Sequence, residues 1–143
     1  MSLDRFLKGH NMDYETALSE IKAGRKRSHW IWYIFPQIHG LGMSRTSEIY
    51  SIQSLDEAKE YMENEMLKAH MIEICNVLLD LEVSDPTEVM GYPDDLKLRS
   101  SMTLFAEVAP EYDIFQEVLD KFYGGEKDKR TLELLAKGLA KDA

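Results

Sequence analysis

Between His29 and Ser44 the chain reads HWIWYIFPQIHGLGMS, which places both tryptophans beside histidines, glycines and a serine. An indole such as Trp32 can stack on a flat ring, and the Gln37 amide can fix polar groups at its edge. Gly42 lets backbone approach a ligand closely. Ser44 and Arg45 open a short helix toward Tyr50, where unpaired amides and a guanidinium suit a phosphate or carboxylate. His29 closes the sole basic run, Arg25-Lys26-Arg27-Ser28-His29, which could complement an anion next to the aromatic segment. His29 and His39 could serve as acid or base, histidine being the side chain suited to proton transfer near neutral pH. The same residues equally suit a plainer role, with aromatics filling a core, glycines turning the chain and Ser44 capping a helix.

The second polar cluster is DDLKLRSSMTLF, Asp94 to Phe105. Lys97 lies three residues after Asp94, and Ser101 four after Lys97, so all three share one side of a helix. With Leu98, Met102 and Phe105 turned to the core, Lys97 and Ser101 are expected at a pocket boundary. Ser100, Ser101 and Thr103 are weaker helix formers than alanine, which points either to close helix packing or to a polar cavity. Lys97 beside a carboxylate fits an electrostatic clamp better than a Ser–Lys nucleophile pair, which would need a desolvated, neutral lysine. Glu48 and Asp94 are the candidate general bases should the site be hydrolytic. His10, His29, His39 and His70 lack metal-ligand spacing, and Cys75 has no neighbouring histidine, so neither a metal nor a cofactor is expected.

The elements that must position these groups read as helices. Tyr14, Ala17, Leu18 and Ile21 form one apolar stripe on a helix starting near Asn11 or Asp13. Trp30 to Phe35 is dense enough in aromatic and β-branched residues for a strand, but it lacks a partner strand. It is therefore expected as buried helix or extended chain, ending before Pro36. Ser54 and Glu57 form a capping box, opening a helical stretch through Leu81 that is either one helix or two broken near Asn64. Asp85-Pro86 starts a short turn, and Gly91-Tyr92-Pro93 breaks it. Two further stripes end before Pro110 and at Gly124-Gly125. Asp128 caps a last helix with Leu132, Leu135 and Leu139. The expected fold is all-α, a single domain over residues 1–143 with six or seven helices around one core.

Composition narrows the function classes. Lys and Arg total 17 against 26 Asp and Glu, a net charge of -9, which disfavours nucleic acid and anionic membrane surfaces as partners. One cysteine excludes an intrachain disulfide and suits a reducing cytoplasm. Without an apolar run of membrane-spanning length or a signal-peptide core, a soluble cytoplasmic protein is expected.

The aromatic–glycine segment, the Tyr50 and Ala58-to-Tyr61 regions, DDLKLRSSMTLF and the Phe115-to-Thr131 stretch together resemble a bacterial family numbered eighteen-ten among the domains of unknown function. The resemblance spans about Phe6 to Leu135 and implies an all-helical fold without a settled activity. Some members carry the label calpastatin, although calpastatin-like inhibitors are extended and repetitive whereas this chain has amphipathic helices and an aromatic core. A weaker likeness, in helical content and a tryptophan-rich polar site, is to the NADAR group, which is associated with ADP-ribose and N-glycosidic chemistry. Three readings follow. The first is a small-molecule-binding domain or enzyme for an anionic, ring-containing ligand, nucleotide or ADP-ribose-like, held by His29, Trp32, Gln37, Gly42, Ser44, Arg45, Lys97 and Ser101. The second is a protein–protein interaction domain without catalysis, and the third a domain in which these motifs serve stability alone.

Overall fold

The computed structural model describes residues 3–42 and 44–142, the last four by their backbone alone. α1 (Asp4–Lys22) buries Phe6, His10, Tyr14, Ala17, Leu18 and Ile21 along one stripe. It begins well before Asn11, and its cap position, Leu3, makes no side-chain bond, which leaves no capping signal in the sequence. α2 (Ile31–Ile34) is a single turn within the aromatic segment. It ends at Phe35 (φ -126°, ψ 72°), as Pro36 requires of the residue before it. α3 (Arg45–Tyr50) is capped by Ser44, whose hydroxyl accepts from the Ser47 amide.

α4 (Leu55–Glu63) and α5 (Glu65–Asp80) are separate helices. Asn64 divides them, with an extended backbone and a side chain that caps Leu67 N. The expected capping box forms by half. Ser54 Oγ accepts from Glu57 N at 3.0 Å, but the Glu57 carboxylate accepts from Gln53 N at 2.9 Å rather than from Ser54. The buried Glu57 is drawn there by Arg5 of α1, whose Nη2 lies 2.5 Å from Oε1. One carboxylate thus closes a turn and ties two helices together.

α6 (Pro86–Met90), α7 (Asp94–Val108), α8 (Ile114–Tyr123) and α9 (Lys129–Asp142) complete nine helices among the described residues, against the six or seven expected. The excess comes from α2, a four-residue turn too short to show an apolar period, and from the division of the stretch through Leu81 into α4 and α5. Among the described residues the extended pairing is one parallel bridge, Ile38 with Ile52. In α9, Leu135 is buried and Leu132 half-buried, while the Leu139 side chain lies outside the described residues.

α7 is the hub, packing on α8, α6, α9, α4 and α2, while α1 lies along α5 and α2. Rings connect the layers: Phe6 meets Tyr61 edge-on at 5.3 Å, Tyr61 meets Phe105 at 5.3 Å, and Phe105 meets Phe115 at 5.7 Å. Such pairs contribute about 0.5–1.5 kcal/mol each beyond simple burial. Trp30 and Phe35 are fully buried, so the aromatic half of the segment anchors the loop that follows.

Candidate functional site

The basic run lies where α1 ends, and one carboxylate shapes it. Glu20 accepts from Arg27 N, from Ser28 N and Oγ, and from Trp30 Nε1 at 2.6–3.0 Å. Partial burial alone would raise its pKa, but these bonds from Ser28, Arg27 and Trp30 outweigh it and hold the carboxyl down at about 2. The loop therefore folds back over Glu20 and leads directly into the buried Trp30.

That fold-back points Lys26 inward. Its side chain is 6% exposed, and Nζ lies 2.6 Å from Asp94 Oδ2, 2.5 Å from the Ser28 carbonyl and 5.0 Å from the Trp30 ring centroid. Asp94, on the first turn of α7, also accepts from Lys97 Nζ at 3.2 Å. Lys97 in turn sits 4.3 Å above the Trp32 ring, within cation–π range. The two polar clusters of the sequence thus join in one chain: Lys26, Asp94, Lys97, Trp32.

Beyond Trp32 the loop forms a cleft with Gln37, His39, Gly42, Ser47, Glu48 and Tyr50 among its walls. It encloses only about 10 Å³, room for one water and not for a ring. Gly42 is required there because a Cβ would come within 2.5 Å of the Ser47 side chain. His39 Nδ1 lies 3.1 Å from Ser51 Oγ, a Ser–His pair at first sight. The hydroxyl has one proton and donates it to the Glu48 carbonyl at 3.0 Å, so the pair ties the loop rather than activating a nucleophile.

A larger space lies on the other side of Lys26. An open groove of about 620 Å³ runs between the end of α1 and α6, lined by Gly24, Arg25, Lys26, Thr87, Glu88 and Gly91. This lies within the range typical of small-molecule sites. The Arg25 side chain is exposed.

The candidate residues therefore separate. Trp32, Gln37, Gly42 and Glu48 share the narrow cleft, and Lys97 and Asp94 join it through the Trp32 ring. Ser44 is engaged as the α3 cap. Arg45 and His29 are exposed, outside both the cleft and the groove. Ser101 is fully buried, away from both spaces, with an Oγ that has no hydrogen-bond partner among the described residues. It is a core position rather than a pocket boundary, because α7 is enclosed on several sides and not on one. Asp94 has both oxygens on ammonium groups, an arrangement that holds cations rather than one that removes protons.

Sequence reasoning passed over Glu20 and treated Lys26 only as part of a run. For Lys26 the run itself was the signal. Glu20 had none, since its four hydrogen bonds form only once the loop has folded back. Among the described residues, no three His, Cys, Asp or Glu side chains are grouped to hold a metal, and no helix is long and apolar enough to cross a membrane.

Over residues 1–135 the chain matches the family described as "Protein of unknown function (DUF1810)". It is also similar to the conserved hypothetical protein Rv1873 from Mycobacterium tuberculosis, known from a crystal structure. The two share 42% identity and a TM-score of 0.91, covering 94% of this chain and 96% of that one. No curated protein matches. The chain belongs to the DUF1810 family.

Proposed function

We propose that this member of the DUF1810 family is a small-molecule-binding domain for an anionic ligand that carries a flat ring. The observation that carries the reading is the Lys26–Asp94–Lys97 ion chain laid against Trp32. In a chain of net charge -9, two ammonium groups are gathered on one carboxylate beside an aromatic ring, leaving a local excess of positive charge. A lysine held in place before a ligand arrives loses less side-chain entropy on binding.

In this reading the half-exposed Trp32 offers its ring to a nucleobase or similar plane, with Lys97 above one face of the indole and Gln37 nearby. The groove beyond Lys26 takes the anionic part, with Arg25 supplying a free guanidinium. A nucleotide or an ADP-ribose-like molecule has this combination of ring and anion. The narrow cleft at Gly42 does not admit the ring and instead braces the loop behind Trp32. Binding without turnover agrees best with Glu48 and Asp94 as placed.

A thermal-shift screen of nucleotides, ADP-ribose and sugar phosphates tests the proposal. A ligand at 100 times its Kd stabilises the folded chain by about 2.7 kcal/mol, a clear rise in Tm. Lys97→Ala and Arg25→Ala should each shrink that rise, while Arg45→Ala should leave it unchanged. A well-folded protein that responds to no member of the panel would count against the reading.

A second reading rests on Tyr92 and Leu96, 76% and 48% exposed at the start of α7. Aromatic anchors of this kind mark protein interfaces. Tyr92→Ala with unchanged ligand response and lost self-association or partner binding would favour it.

A further inference from the structure

Away from the groove beside Lys26, α1, α2, α4 and α5 enclose a polar cluster for which the proposed ligand site has no use. Its centre is a pair of histidines sixty positions apart: His10 Nδ1 lies 2.9 Å from His70 Nδ1, with the rings parallel within 3°. His10 is 2% exposed. Its Nε2 lies 2.9 Å from the Tyr33 carbonyl and 3.0 Å from Tyr61 Oη.

These contacts assign the protons. A carbonyl can only accept, so His10 Nε2 carries a hydrogen and donates to Tyr33. In the neutral ring Nδ1 is then bare, and His70 Nδ1 must be the donor across the 2.9 Å contact. The result is a one-way relay from His70 through His10 to the backbone of α2. His70 also stacks on Tyr14 at 3.6 Å, and Tyr14 Oη donates to Glu73 Oε1.

The relay tolerates one added proton. Placed on the free Nε2 of the half-exposed His70, it leaves every bond intact. Glu73 of α5 and Glu15 of α1 favour it there, partly offsetting burial, which lowers the His70 pKa. A second proton has only His10 Nδ1 to go to. Two N–H groups would then face each other across 2.9 Å, with two positive charges in a largely buried site. The other titratable groups around the pair offer little relief. Tyr33 and Tyr61 are pushed up by burial, Tyr33 donating to Asp13 of α1, and the buried Cys75 thiol of α5 is also raised.

We propose that His10 and His70 form a proton-counting latch. The pair holds α1 to α5 while it carries at most one added proton, and it opens that contact when it takes a second, His10 keeping its bond to the Tyr33 carbonyl. Because His10 stays bonded to the Tyr33 carbonyl, next to Trp32, its movement away from His70 is passed to the turn that carries both tryptophans.

The test is an NMR titration of the histidine rings with tryptophan emission followed in parallel, on the wild-type chain, His10→Gln and His70→Gln. In the wild type His70 should titrate first and His10 last, below pH 5, with emission changing only in the His10 step. His70→Gln keeps an N–H donor, and its amide can turn to offer oxygen to a protonated His10. In that variant the His10 midpoint should rise toward the ordinary value of about 6.5, and the emission step should move with it. His10→Gln can still donate to Tyr33 and should lack the emission step altogether. Independent titration of both histidines near 6.5, or an unmoved His10 midpoint in His70→Gln, would overturn the latch. So would an emission step that persists in His10→Gln.

Discussion

At the scale of single residues, the groups that decide most are those with several partners at once. Glu20 takes four hydrogen bonds from the basic loop and Trp30. Its carboxyl is held at about 2 against a usual 4.5, so the folded chain binds that proton less readily than the unfolded one. The stability it contributes is present above pH 4.5 and is lost as pH falls from there toward 2. Glu20→Gln should therefore lower the urea midpoint at pH 7 and flatten the pH dependence in that window, as equilibrium unfolding would record. Gly9 is the complementary case, since a Cβ there would lie 2.3 Å from the Tyr33 ring. Gly9→Ala should destabilise by about 1–3 kcal/mol through overpacking, despite alanine's better helix propensity, and a thermal melt would measure it. A stabilised variant would mean that the α1–α2 contact is looser than described.

Between helices, polar side chains close ends that the backbone leaves open. Lys121 of α8 reaches the C-terminal turn of α5, where Nζ donates to the Leu78 and Leu79 carbonyls at 2.9 Å and also to that of Leu81. Lys121→Met keeps the aliphatic stem and loses these bonds, so a cost of about 1–3 kcal/mol is expected in denaturant unfolding. Much at this scale was legible in the sequence. The breaks at Asn64 and Gly91, the caps at Ser44, Asp85 and Asp128 and the stop before Pro110 follow from local chemistry. What local chemistry could not reach was pairing between distant segments. Glu57 accepts from Gln53 because Arg5 draws it, and Arg5 lies on a helix whose start carries no cap. His10 was within reach, four residues before Tyr14 on the same stripe, but the missing cap hid the turn it sits on. The candidate site was legible by halves: the aromatic segment and the Asp94 cluster stood out separately, whereas their union through Lys26 depends on the loop folding over Glu20.

For the molecule as a whole, charge and acid response set the terms. A net charge of -9 repels an anion at long range, yet screening limits that field to about 8 Å at physiological salt. For the proposed anionic ligand, Lys26, Lys97 and Arg25 would supply the near field. Acid should cost the protein stability in two windows. Burial holds His10 down at about 4, with the Tyr33 carbonyl raising it only in part and His70 lowering it further. The unfolded chain takes that proton from about pH 6.5 downward, so stability is lost between 6.5 and 4. The Glu20 window follows below. A pH series of urea midpoints should show both regions, the upper one absent in His10→Gln and the lower one in Glu20→Gln.

The ion chain against Trp32 is the centre of the account, and the chain's two tryptophans allow a direct measurement. Trp30 is fully buried and bound to Glu20, whereas Trp32 is half-exposed beneath Lys97. Titrating the wild-type chain with ADP-ribose while recording tryptophan emission should give saturable quenching. Lys97→Ala should weaken the apparent affinity about tenfold, the equivalent of about 1.4 kcal/mol, and Trp32→Phe should abolish the signal. Emission unchanged by ADP-ribose and by each nucleotide of the panel, or quenching that survives intact in Trp32→Phe, would contradict a ligand site at Trp32.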